Sequence, residues 1–195
     1  MGSGTVAAIV LAAGLSRRWG AENKLLAPVA GLPMVRRTVD AVLGSIARPV
    51  TIVLGHEQDR IAAALAGCDA ALLRIDDYGL GLSATLKAGI GALPDAAVGA
   101  LICLADMPWV RPETLNRLIA DFVAAQDKVA AVPVFAGEWG NPVLLGRALF
   151  GAVQGLEGDR GARSLLGTRT AELLEVPVAD PGVLRDADIP AALDS

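Results

Sequence analysis

The run Thr5-Val6-Ala7-Ala8-Ile9-Val10-Leu11 constrains this chain more than any other segment. It carries no charge, it holds three β-branched aliphatic residues, and it ends at once in Ala12-Ala13-Gly14. A strand with one wet face would interleave polar residues. This one does not, so both of its faces must be covered, as in a parallel sheet flanked by helices. The small residues behind it let a backbone turn come close to a ligand.

The rest of the chain repeats the theme. Strands are expected at Val50–Leu54, Ala70–Ile75, Val98–Ala105, Val129–Phe135 and Leu173–Val176, with a shorter apolar piece at Pro142–Leu145. Helices are expected from Pro33, with Met34, Val35, Val39, Val42 and Leu43 at helical spacing, and over Gln58–Leu65, Ser83–Leu93 and Pro112–Ala125. Shorter helices fit near Arg147, over Gly161–Leu166 and after Pro190. Strand–helix alternation of this kind predicts an α/β fold: a Rossmann-like open, mostly parallel sheet with helices on both faces, in one domain over residues 5–195.

Composition excludes other classes. Hydrophobic residues make up 53% of the 195 and mean hydropathy is +0.50, ample for a core. The net charge is −4, so no broad electrostatic footprint for nucleic acid exists and any anion must be bound locally. The apolar runs are too short to span a bilayer. Met1 to Gly4 has no basic region, so a secretory signal is not expected and a cytoplasmic location is. Cys68, Cys103 and His56 are the whole stock of soft metal ligands, too few for a zinc finger or a disulfide framework.

In open sheets of this type ligands sit beyond the carboxyl ends of the strands. After the first strand come Leu11, Ala12, Ala13, Gly14, Ser16 and Arg18, with Lys24 close behind: amide donors and positive charge suited to a polyphosphate, or simply a polar loop with solvated cations. The spacing from Gly14 to Gly20 does not satisfy a Walker A loop. Gly79-Leu80-Gly81-Leu82-Ser83-Ala84 matches a dinucleotide fingerprint, but Asp76-Asp77-Tyr78 stand where a buried strand should meet the turn. Asp106 follows an apolar strand directly. It suits a hard cation, Mg²⁺, or caps the turn before Pro108. Asp186 and Asp188 read on their own as helix-capping residues.

Taken together, Leu11 to Gly20 with Lys24, and then Gly31-Leu32-Pro33, resemble the N-terminal signature of small nucleotidyltransferases of the molybdenum cofactor guanylyltransferase-like superfamily, most of all its cytidylyltransferase branch. Further matches follow in order: Gly81-Leu82-Ser83, Leu104-Ala105-Asp106-Met107-Pro108, Gly140-Asn141-Pro142-Val143, Gly158 to Arg163, and Asp186-Ala187-Asp188. The resemblance implies transfer of a nucleoside monophosphate to a phosphate acceptor with release of pyrophosphate. By it, Leu11, Ala12, Ala13, Gly14, Ser16, Arg18, Lys24 and Ser83 hold the nucleotide, with Arg18, Lys24 and Asp106 catalytic. Asp106 with Asp186 or Asp188 would hold Mg²⁺, and Asn141, Asp159, Gly161 and Arg163 would face the acceptor. Guanylyl-specific relatives have Gly at the Ala13 position, so the resemblance favours CTP over another nucleoside triphosphate. It implies a molybdopterin-type acceptor and, as protein partner, a molybdoenzyme or its chaperone. The pattern departs at Ile189, where the family usually has Thr, and at Ala192, where an acidic residue is common.

The rival expectations are transfer to a sugar or polyol phosphate, a nicotinamide-dependent oxidoreductase built on Gly79 to Ala84, and a non-catalytic nucleotide-binding module. His56 reads as a loop or helix-start residue that could graze the acceptor pocket, and Cys103 as core. Trp109 and Trp139 read as packing residues or as a stacking surface for a pterin.

Overall fold

The structure is a computed structural model that describes residues 4–15, 23–167 and 169–187. The elements follow in order: β1 (Thr5–Ala12), a small hairpin of β2 (Pro28–Val29) and β3 (Leu32–Pro33), α1 (Met34–Leu43), β4 (Val50–Leu54), α2 (Gln58–Ala64) and β5 (Ala71–Arg74). After them come α3 (Leu82–Gly91), β6 (Ala97–Leu104), α4 (Pro112–Ala124), β7 (Ala130–Phe135), β8 (Glu138–Trp139), β9 (Val143–Gly146), α5 (Phe150–Val153) and β10 (Leu173–Pro177).

The main sheet runs β10-β7-β9-β6-β1-β4-β5, with β8 paired to β7. β1 lies at its centre, parallel to β4 through Val10↔Ile52 and to β6 through Val10↔Cys103. The uncharged run therefore sits where both faces are covered. Val6, Ala8, Val10 and Ala12 face α1, α2 and α4, while Ile9 and Leu11 face α3 and α5. This is the two-faced core the sequence implies. Each fully buried Leu or Ile in it contributes about 1.5–3 kcal/mol of transfer free energy.

The sheet is mixed rather than wholly parallel. β9 runs antiparallel to both β6 and β7, and β8 runs antiparallel to β7. β8 and β9 are reached by tight connections, without the long crossover that a parallel neighbour needs. The hairpin β2–β3 is an addition to the expected elements: Pro33 pairs with Pro28 before it caps α1. The pieces at Arg147–Leu149 and Ala162–Leu165 are 3₁₀ turns, the first running into the single-turn α5. The helix expected after Pro190 lies outside the described residues. Among the described residues no helix is long and apolar enough to cross a membrane.

Candidate active site

From β1 the chain moves through α1 to β4 and through α2 to β5, then returns by α3 to β6 on the other side of β1. The order of strands thus reverses between β1 and β6, and a crevice opens beyond their carboxyl ends. The Ala105 amide donates to the Leu11 carbonyl at 3.2 Å, so the two strand ends leave the sheet side by side. A cleft of about 570 Å³ lies there. Its floor is Leu11, Ala13, Gly14 and Leu104, and Lys24 and Asp106 stand at its edge.

Lys24 begins a 3₁₀ turn whose geometry is set by Asn23: the buried Asn23 side chain accepts from the Leu25 amide at 3.0 Å, and Leu25 is inserted into the core. Asp106 is placed by the end of β6. The Thr38 hydroxyl of α1 donates to the Ala105 carbonyl at 3.0 Å, and Arg37 Nε donates to the Pro108 carbonyl at 3.3 Å. These two independent supports bring Lys24 Nζ to 2.5 Å from Asp106 Oδ2, with the side chains 17% and 19% exposed. A carboxylate in a cleft of this burial is costly without a counter-charge, and Lys24 is that charge.

The opposite wall is formed by Tyr78 to Leu82 and by Gly158-Asp159. The two loops are clipped together. Gly81 has φ +100°, and a Cβ there would lie 2.5 Å from the Gly158 backbone, so only glycine fits. The Ser83 amide then donates to the Gly158 carbonyl at 3.0 Å. Leu80 is 66% exposed at the rim, so the wall offers an apolar surface with the Asp159 carboxylate beside it. The Gly79 to Ala84 stretch begins inside a 3₁₀ turn, Asp77–Leu80, and β5 has already ended at Arg74. The strand–turn–helix context of a dinucleotide fingerprint is therefore not formed.

The sequence-predicted residues fall at different distances from this cleft. Leu11, Ala13, Gly14, Lys24, Asp106 and Asp159 line it. Ala12 points into the core on the α1 side. Ser83 is buried behind Leu82 and Thr85, which form the wall in its place. Asn141 stands before β9, whose Val143 pairs with Ile102, so it lies at the same edge of the sheet as Asp106. Gly161 packs under Leu82, and Arg163 is exposed on the turn that follows. Asp186 is exposed, one residue before Ala187, whose amide donates to the Asp106 carbonyl at 3.0 Å. Ser16, Arg18 and Asp188 lie outside the described residues. Among the described residues no three of His, Cys, Asp and Glu form a ligand cluster, so a cation here would need ligand oxygens from a bound phosphate as well.

Other polar groups are explained by local partners. Trp139 Nε1 donates to Glu175 Oε1 at 2.7 Å, and the Arg185 guanidinium lies 3.8 Å from the Trp109 ring centroid. His56 follows β4, with its ring centroid 6.2 Å from that of Tyr78. The Arg60 guanidinium holds the Glu57 carboxyl below the usual carboxylate range. Burial pushes the Cys103 thiol up to about 12. Sequence reasoning missed Tyr78, Leu80 and Thr85 of the wall, which carry no motif of their own. It also missed Asp180, buried under α4, although Asp180-Pro181-Gly182 is a recognisable turn.

A model of the MobA-like NTP transferase domain matches residues 8–174. A probable molybdenum cofactor guanylyltransferase of Natronomonas pharaonis is 34% identical over 137 residues, covering 69% of this chain and 64% of that protein. The bifunctional protein GlmU of Syntrophotalea carbinolica is 35% identical over 145 residues, 74% of this chain. The match spans only 30% of GlmU, so this chain corresponds to a part of that relative. The crystal structure of Rv0371c from Mycobacterium tuberculosis H37Rv has a TM-score of 0.86 at 27% identity, covering 98% of this chain and 99% of that one. A second structure of Rv0371c, in complex with manganese, has a TM-score of 0.81 at 25% identity over 98% of this chain and 99% of that one.

Proposed function

The chain belongs to the MobA-like NTP transferase domain family and is a nucleotidyltransferase; from that premise we propose that it transfers CMP from CTP to the phosphate of a molybdopterin-type cofactor. The observation that carries this reading is the Lys24–Asp106 pair at the edge of the β1/β6 cleft, one group fit for phosphate and the other for a cation. The relative from Natronomonas pharaonis supports the acceptor class, and Ala13 on the cleft floor, where the resemblance gives guanylyl-specific relatives a Gly, supports cytosine over the larger guanine.

In the proposed reaction an acceptor phosphate oxygen forms a bond to the α-phosphorus, the bond between that phosphorus and the bridging oxygen breaks, and pyrophosphate leaves with the electron pair. No covalent help from the protein is required; the need is in-line placement and compensation of negative charge. The amides around Ala13 and Gly14 meet the phosphates, and by the resemblance Ser16 and Arg18 bind the nucleotide as well. Lys24 neutralises charge at the α-phosphate. By the resemblance Asn141, Asp159, Gly161 and Arg163 serve the acceptor; of these Asp159 lines the cleft, and its carboxylate beside an apolar wall suits the acceptor's ring N–H groups. The carboxylate chemistry of Asp106 fits a hard divalent cation, with Asp186 or Asp188 as the second ligand, and the manganese complex of Rv0371c is consistent with that fit. Such a cation, Mg²⁺ in this reading, would offset charge on the departing pyrophosphate.

The test is pyrophosphate release from each nucleoside triphosphate, with and without molybdopterin and with and without Mg²⁺. Release from CTP that needs both supports the proposal. Release with a sugar or polyol phosphate, and none with molybdopterin, moves the acceptor to that class.

A further inference from the structure

Asp180 is 3% exposed. One of its carboxylate oxygens accepts from the Arg111 amide at 3.0 Å and from the Thr114 hydroxyl at 2.7 Å. The other accepts from the Gly182 amide at 3.0 Å. The first two bonds cap α4, whose own cap residue, Arg111, supplies no side-chain bond. The third is not needed by the helix. It fixes the start of a strap, residues 180–187, that crosses the carboxyl edge of the sheet.

Each step of the strap is tied down. Gly182 approaches so closely that a Cβ there would lie 2.3 Å from the Trp109 carbonyl oxygen. The Val183 carbonyl accepts from the Asn141 amide at 2.8 Å. Arg185 stacks on Trp109, and the Ala187 amide ends the strap on the Asp106 carbonyl at 3.0 Å. Asp186 is the residue just before that last anchor.

We propose that Asp180 is a positioning residue for the divalent-cation site, holding the strap so that Asp186 is delivered to the edge occupied by Asp106. The inference rests on the reading of Asp106 and Asp186 as cation ligands. A buried carboxylate under α4 thereby couples the start of that helix to the cation site, without touching cation or substrate. Groups that orient a metal ligand without binding metal typically change affinity about 10–100-fold when removed.

The experiment uses the full chain with CTP and Mn²⁺ as the probe, reading Mn²⁺ affinity by titration and amide exchange over 180–187. Asp180→Asn keeps the shape but removes the charge that three donors face. It is expected to bind Mn²⁺ at least tenfold more weakly, by the same rule, with faster exchange at Gly182 and Ala187 and unchanged affinity for metal-free CTP. Gly182→Ala, whose Cβ would press on the Trp109 carbonyl and lie 2.9 Å from Asp180 Oδ1, pushes the strap away while the Arg111 and Thr114 bonds run to the other carboxylate oxygen; it should show the same loss and keeps the test valid if Asp180→Asn does not fold. Thr114→Val removes one cap bond only; it should lower Tm and leave Mn²⁺ affinity unchanged. The proposal is overturned if Asp180→Asn or Gly182→Ala binds Mn²⁺ as the wild type does, or if Thr114→Val loses as much affinity as they do. Absence of Mn²⁺ binding by the wild type itself overturns the cation reading, and is distinguishable because no variant is involved.

Discussion

Lys24 Nζ meets Asp106 Oδ2 at 2.5 Å although the two residues are 82 apart in sequence. Neither element alone requires the contact. Lys24 is set by the Asn23-capped turn and Asp106 by the end of β6. In the proposed reaction the two charges held together in this contact act separately. By that proposal a nucleotide arriving with a divalent cation would offer each of them a new partner, phosphate for Lys24 and metal for Asp106.

Lys24→Ala should therefore have two opposite effects. Turnover should fall about 10²–10³-fold, the usual consequence of removing one electrostatic contact to a developing charge. Mn²⁺ affinity in the absence of nucleotide should rise, because the cation no longer competes with an ammonium group for Asp106. Steady-state kinetics and metal titration on the same preparation read both. Turnover within a few-fold of wild type would reduce Lys24 to a counter-ion of Asp106.

Ala13→Gly should relax base choice towards GTP without abolishing use of CTP. Ala13 is 3% exposed on the cleft floor, and its carbonyl accepts from the His56 amide at 3.5 Å, so the backbone stays held when the methyl is removed. A single methyl discriminates by about 1–3 kcal/mol, so the shift in the CTP/GTP ratio of kcat/KM should be partial. An unchanged ratio would place base selection elsewhere.

Gly81→Ala tests the clip between the two wall loops. The added Cβ meets the Gly158 backbone at 2.5 Å, and φ of +100° is strained for any L side chain. The cost should be about 1–3 kcal/mol of stability, read as a lower Tm. Because Leu80, Leu82 and Asp159 move with the clip, KM should rise more than kcat falls.

The two cysteines should separate cleanly in reactivity. Burial pushes the Cys103 thiol up to about 12, within a strand between sheet neighbours, so it should stay unmodified by a thiol reagent until the chain unfolds. The Cys68 thiol is also raised by burial, but it is only half-buried. It should react slowly in the native protein. Mass spectrometry after timed labelling would show one adduct first and two only after denaturation.

These outcomes also mark how far the sequence carries. β1, β4, β6 and α4 are legible because each is a continuous apolar run or a 3.6-residue pattern with a proline start, and their order places Gly14 and Asp106 at one edge. β8 and β9 are not legible as antiparallel strands, since Glu138-Trp139 is too short to show a period and Val143 to Gly146 is as apolar as a parallel strand. Tyr78, Leu80 and Thr85 join the site through contacts distant in sequence and without local signal: Tyr78 packs on Gly55, and Gly81, beside Leu80, is clipped to Gly158, 77 residues on. Asp180 has a turn signal, but its partners Arg111 and Thr114 come from another element.

Asp106→Asn bears most directly on the proposed chemistry. The substitution keeps size and shape, and the backbone bonds that place residue 106 come from Ala187 and from Thr38 at Ala105, so the fold should survive. What is lost is the charge that faces Lys24 and, in the proposed reaction, the cation. Metal-dependent turnover should collapse, and enhancement of CTP binding by Mg²⁺ should disappear. Affinity for CTP without metal should stay the same or improve, since one negative charge at the phosphate edge is removed and Lys24 is released to bind phosphate. Isothermal titration of CTP with and without Mg²⁺, on wild type and variant, separates these effects. Equal Mg²⁺ enhancement in both proteins would show that Asp106 serves only to hold Lys24 and the turn before Pro108.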